Sequence, residues 1–303
     1  MDFFDVFGKM LAILLTTAAG YLAHHLGYLG GEIDQKLCRL VLNITMPAMI
    51  LAAVLNNSDM GGLSEILPLL LVSAIFYGMS LVFAAVVPKV LGGTEKQKGV
   101  WRYSLVFANV AFIGYPVARA LFGESSIFYA AILVLPFNLL SYTLGPMMLA
   151  GQGRFDWKQM LSPCVVASVI ALVLALTGLR LPSSVGETIG FLGDVTTPLS
   201  LLVVGSLLAD LPIKQVFIAP RPWILTILRL LVMPALFFLL LKPLHLDPMV
   251  MGVAVSQMAM PVAVNGSMLA MEYGGDTDAM AQVTFLTTLF STFTIPIIAV
   301  LFF

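Results

Sequence analysis

Ten long apolar runs alternate with short polar breaks along this chain. They cover roughly 4–24, 36–55, 64–88, 100–122, 125–149, 159–179, 187–209, 222–242, 248–271 and 279–302. Each is long enough to cross a bilayer as a helix of ~20 residues. Several connections are very short, among them Gly123-Glu124-Ser125 and Gly151-Gln152-Gly153-Arg154, so no soluble domain fits between the runs.

Two of the runs carry a similar polar interruption. The second reads Asn43-Ile44-Thr45-Met46-Pro47 and the seventh reads Asp194-Val195-Thr196-Thr197-Pro198, 151 positions later. Five spans separate them, an odd number, so a duplicated five-span unit enters the bilayer the second time with opposite orientation. Matched proline-interrupted helices in an inverted repeat are a transporter pattern. The pattern predicts an all-α polytopic membrane protein of ten transmembrane helices in two inverted five-helix repeats. Residues 1–150 form the first and 151–303 the second, with the boundary in the basic loop Gly151–Lys158.

Composition agrees with lipid as the main solvent: 60% hydrophobic residues, 10% charged residues and a mean hydropathy of +1.01. A net charge of -1 leaves no electrostatic footprint for nucleic acid. The opening Met1-Asp2-Phe3-Phe4-Asp5 is acidic where a signal peptide is basic, so the first run reads as a retained span. Cys38 and Cys164 are far apart and support neither a disulfide framework nor a metal motif. His24, His25 and His245 flank spans and suggest no metal constellation. No cofactor is expected.

Basic residues set the orientation. Loops and span ends after odd spans hold Lys36, Arg39, Lys89, Lys96, Lys98, Arg102, Arg154, Lys158, Lys214 and Arg221. The other side holds Arg119, Arg180 and Lys242. Both termini are therefore expected outside the cytoplasm.

Spans four and nine carry the candidate site. The fourth reads Asn109-Val110-Ala111-Phe112-Ile113-Gly114-Tyr115-Pro116; the ninth runs from Gln257 through Pro261 to Asn265-Gly266. A proline in a span leaves backbone groups unpaired, so both helices are expected to unwind and cross there. Half-helix N-termini then offer N–H groups and partial positive charge to an anion. The candidate substrate-binding set is Asn109, Tyr115, Pro116, Gln257, Pro261 and Asn265, with Met46 and Pro47 from span two. Asp194 is the one carboxylate placed deep in a span. It reads either as a proton- or cation-coupling group, with Thr196 and Thr197, or as an acid hydrogen-bonded to those threonines. Arg119, a turn after Pro116, either attracts a substrate carboxylate or snorkels to headgroups. Arg229 reads as an internal helix tether.

These residues resemble the auxin efflux carrier family, which includes plant auxin carriers and bacterial malate and malonate permeases. The similarity runs from Asp2-Phe3-Phe4 through Met46-Pro47, Asn109…Gly114-Tyr115-Pro116, Leu192-Gly193-Asp194 with Gly205, and Arg229…Pro234, to Pro261…Glu272-Tyr273 and Pro296. The resemblance implies that helices one, two, six and seven form a scaffold and three to five with eight to ten a moving transport domain. It implies substrate between the two, near Asn109 and Pro261. It also implies a homodimer in a bacterial inner membrane. The chain lacks the long central loop of the plant carriers. Its third span is uncharged from Ile66 to Pro88, where the plant carriers have an acidic and a basic residue.

The function expected is a secondary transporter moving a small organic anion, a mono- or dicarboxylate, by an elevator-type motion. No GxxxxGK[ST] is present to bind a nucleotide. A sodium-coupled symporter of related fold, using Asn109, Gln257, Thr45 and broken-helix carbonyls, and a non-transporting sensor are the alternatives. An intramembrane enzyme is disfavoured, because the spans contain no second facing carboxylate, no HExxH and no Ser/His pair.

Overall fold

The computed structural model describes residues 3–55, 62–150, 163–177, 179, 181–210 and 219–302. Among them every regular element is helical, apart from one isolated antiparallel bridge between Ala108 and Val262. The first helices are α1 (Phe3–His25), α2 (Gly31–Leu40), α3 (Met46–Leu55), α4 (Gly62–Leu91), α5 (Glu95–Val106), α6 (Gly114–Phe122) and α7 (Ser126–Ala150). Then come α8 (Pro163–Thr177), α9 (Ser183–Asp194), α10 (Thr196–Ala209), α11 (Pro220–Ile227) and α12 (Met233–Leu241). The last three are α13 (Pro248–Met258), α14 (Asn265–Tyr273) and α15 (Thr277–Phe302). The basic loop Gly151–Lys158 lies outside the described residues.

Among the described residues four stretches have the length and hydropathy to cross a membrane: Leu67–Leu91, Ser183–Ala209, Pro220–Leu244 and Thr277–Phe302. Leu15, Leu22, Val90, Phe191, Leu239 and Leu301 all stand exposed on the outside of the bundle. Water would penalise such a surface and hydrocarbon does not. This is an integral membrane protein.

The helix interruptions that accompany mid-span prolines take three forms. No unwinding occurs at Met46-Pro47. Instead α2 runs through a π-helical turn, Val41–Thr45, straight into α3, and the Met46 N–H reaches back five residues to the Val41 carbonyl. Pro47 has no N–H to give, and the wider turn keeps the chain helical through the Met46 bond just before it. The dipeptide Met233-Pro234 behaves the same way after a second π turn, Leu228–Val232. Span seven breaks for the single residue Val195, between α9 and α10. Among the described residues only spans four and nine open for several residues.

Those two spans share their punctuation. Thr94 and Gln97 form a reciprocal capping box at the start of α5, and Asp247 accepts from Met249 N–H at 2.8 Å to cap α13. The second halves begin at Gly114 and Asn265 and stop at Gly123 and Gly274, both with positive φ. The two starts and the two stops each lie 151 positions apart, like Pro47 and Pro198.

Small residues bring the helices close. A β-carbon on Gly20 would lie 2.0 Å from the Leu202 carbonyl oxygen, and one on Gly205 only 1.8 Å from that of Thr17. Thus α1 lies against α10 backbone to backbone, and Gly193 of α9 does the same against Met49 of α3. Trp101, Tyr103, Phe107 and Phe128 are among the bulkiest fully buried side chains, and α5 packs on α7.

Candidate substrate site at the helix crossing

Between α5 and α6 the chain is unwound over 107–113, and between α13 and α14 over 259–264. The two unwound stretches lie side by side and satisfy each other. Asn109 N–H donates to the Pro261 carbonyl at 2.7 Å, and Ala263 N–H donates to the Phe107 carbonyl at 3.1 Å. The Val262 N–H goes to the Thr287 hydroxyl of α15 at 3.1 Å, and the Ser200 hydroxyl of α10 reaches the Phe112 carbonyl at 3.2 Å. Non-helical backbone survives at membrane depth only where protein supplies such partners.

The helix N-termini are less open than expected. The Asn109 carbonyl accepts from Gly114 N–H at 2.9 Å and from Ile113 N–H at 3.4 Å, while Gly266 N–H goes to Ala263 and Ser267 N–H to Val264. Turn-type bonds thus occupy the leading donors, because each break ends in a tight turn before its helix starts. Side chains are left with unused capacity. Asn109, 3% exposed, has an Nδ2 without a hydrogen-bond partner among the described residues. Gln257, 2% exposed, has both Oε1 and Nε2 without one. A β-carbon on Gly114 would lie 2.3 Å from Gln257 Oε1, so this amide sits directly on the start of α6. Leaving such a group unpaired in the interior costs about 1–3 kcal/mol, an arrangement that fits a ligand site better than a packing role.

Beside the crossing is a cavity of about 240 Å³ between α1, α6, α10 and α15. Its wall includes Thr17, Ile113, Val117, Gly205, Thr288 and Ser291 and is mostly apolar. The Thr288 hydroxyl is buried without a partner among the described residues. Tyr115 and Pro116 are buried at the start of α6, and Pro261 is buried inside the second break. Met46 is buried and Pro47 half-buried on α3, which packs on α8 and α9. The side chain of Asn265 lies outside the described part.

A profile of the family described as membrane transport protein matches residues 5–157 and 147–299. The chain belongs to this family, that of the auxin efflux carriers. Among its relatives is an uncharacterized transporter of Methanocaldococcus jannaschii, 27% identical over 299 residues that cover 93% of this chain and 94% of the other. An uncharacterized transporter of Methanothermobacter thermautotrophicus is 25% identical over 293 residues, 95% of each chain. A protein of Rhizobium meliloti provisionally named a malonate transporter is 22% identical over 206 residues, 62% of each.

In this carrier-family protein Asp194 is not inside the bundle. Its side chain is 65% exposed, and its Oδ1 accepts from Arg119 Nη2 at 2.7 Å, while Arg119 Nε donates to Glu124. Arg119 is therefore held between two carboxylates. Thr196 and Thr197 make no bond to Asp194; their hydroxyls are buried without partners among the described residues. Asp194 is the last residue of α9, exposed and facing Arg119 of α6, whereas Thr196 opens α10 on the buried side. Both side chains are partly exposed, 27% and 65%, and an exposed ion pair contributes about 1 kcal/mol or less. Arg119→Gln and Asp194→Asn should each lower thermal stability slightly, with the double variant no worse than Arg119→Gln alone. Fully additive losses in a double-mutant cycle would disprove the contact.

A second polar cluster has no local sequence signal. Asp34, only 1% exposed, accepts from Gly30 N–H at 2.9 Å and from the Ser206 hydroxyl at 2.6 Å. Ser206 also meets His24 Nδ1 at 3.0 Å, and His24 Nε2 lies 3.2 Å from Asp210. Among the described residues Asp34 is the deeply buried carboxylate, on a helix that starts at Gly31 and not at 36. The ligand atoms of His24, Asp34 and Asp210 lie within 4.8 Å of one another, correcting the expectation that the histidines join no such group. Ser206 already bridges His24 and Asp34.

Proposed function

We propose that this protein is a secondary carrier of a small organic anion, a mono- or dicarboxylate, which binds at the crossing of spans four and nine. The observation that carries the reading is the pair of buried, unpartnered amides, Asn109 and Gln257, set where two unwound helices meet. An amide Nδ2 or Nε2 donates to a carboxylate without the desolvation cost of a fixed ion pair. Positive dipole ends of α6 and α14 add to the attraction even with their leading N–H groups occupied. The adjoining apolar cavity would take the carbon skeleton of the cargo. The provisional name of the Rhizobium relative makes malonate the first cargo to try.

The recurring interval of 151 residues supports reading the ten spans as two inverted repeats. The backbone contacts of α1 with α10 and of α3 with α9 support a rigid scaffold of spans one, two, six and seven. The remaining spans would carry the crossing past it, so that the cargo faces each side in turn.

The test is uptake of labelled malonate, malate and indole acids into proteoliposomes, with sodium or choline and with or without a pH gradient. Uptake of at least one acid without nucleotide is expected. Saturable binding with no flux of any member of the panel would favour a sensor. Uptake that needs sodium would identify the cation-coupled symporter.

A further inference from the structure

Arg229 is, after Trp101, the bulkiest fully buried side chain, 1% exposed. The π turn Leu228–Val232 holds it inside the bundle, and such turns often re-aim a side chain at a functional site. Its Nε donates to the Met260 carbonyl at 3.2 Å and its Nη1 to the Leu105 carbonyl at 3.3 Å. Nη1 also meets two sulfur atoms, Met258 Sδ at 3.6 Å and Met233 Sδ at 3.9 Å. Nη2 is buried with no hydrogen-bond partner, and no carboxylate pairs with Arg229 among the described residues.

The two carbonyls it holds are informative. Leu105 is in the last turn of α5, and Met260 follows the end of α13 by two residues. These are the negative ends of the two first half-helices, where a cation is favoured. A planar guanidinium reaches two carbonyls with a fixed fork, which one ammonium cannot do. Two partial negative ends absorb much of its charge, but neither is a full counter-ion.

We infer that Arg229 is a positioning and selectivity residue. It clamps the ends of α5 and α13 together and leaves the crossing with a net positive field that admits an anion and repels a cation. For its anionic cargo the inference rests on the function proposed above. The field itself can be tested without any cargo.

Thr292 lines the cavity, so Thr292→Cys in a Cys38→Ser, Cys164→Ser background places a reporter thiol there. Reconstituted protein is treated with an anionic sulfonatoethyl and a cationic trimethylammonioethyl methanethiosulfonate, and the ratio of modification rates is read. Arg229→Gln should lower the anion-to-cation ratio about tenfold, while Arg229→Lys should leave it within about twofold of the parent. Malonate KM should rise about tenfold in Arg229→Gln and recover in Arg229→Lys, whose maximal rate stays low because the fork is lost. A parental ratio in folded Arg229→Gln overturns the inference. Should that variant fail to fold, Met233→Glu places a counter-charge beside an intact Arg229 and is expected to lower the ratio equally. A ratio there that stays parental is the overturning result. Failure of the parent to move malonate counts against the proposed cargo and leaves the modification ratio readable.

Discussion

Asn109→Ala is expected to weaken malonate binding by about ten- to a hundredfold while the protein melts at nearly the parental temperature. The asymmetry follows from which atoms of Asn109 are used. Its backbone N–H holds Pro261 at 2.7 Å and its carbonyl receives Gly114 N–H at 2.9 Å, so the crossing depends on the main chain, which alanine keeps. The side-chain Nδ2 has no partner among the described residues, so its removal breaks no bond within the described protein. What it removes is a donor to a charged ligand, worth about 1.5–3 kcal/mol. Binding by calorimetry and a thermal melt in detergent separate the two effects. A lower melting temperature with unchanged affinity would reassign Asn109 to packing and move the site away from the crossing.

The apolar runs made the helices readable, because lipid removes the ambiguity between a buried strand and a buried helix. The breaks at 107–113 and 259–264 were readable too, from proline, glycine and amide residues in mid-span. Their internal bonding was not. Whether Gly114 N–H faces a ligand or the Asn109 carbonyl depends on a tight turn that neighbouring residues do not encode. The same limit explains Met46-Pro47, where a π turn and an unwound break require the same proline. Long-range partners were least visible. Arg119 meets Asp194 across 75 positions, and His24 meets Ser206 across 182. Each pairing exists only once the helices have packed, and a single sequence carries no period that announces it. Arg229 was legible as a tether, whereas its position under both half-helix ends required the folded crossing.

Gly205→Val should be the most damaging single change to the fold. A β-carbon there would lie 1.8 Å from the Thr17 carbonyl oxygen and 2.8 Å from the Tyr21 nitrogen, both main-chain atoms of α1. A flexible side chain could move aside; a helix backbone can yield only by shifting as a whole. Separating α1 from α10 exposes small-residue surfaces that nothing else fills, and it spreads the wall of the cavity that Gly205 lines. Overpacking of this kind costs about 3 kcal/mol or more. Gly78→Ala is the matched control, since a β-carbon there meets nothing within 4 Å. In a detergent melt followed by size-exclusion chromatography, Gly205→Val should aggregate well below the parental temperature and Gly78→Ala should follow the parent. Equal melting of all three would mean that α1 and α10 do not pack backbone to backbone, and the scaffold assigned to the carrier would lose its central contact.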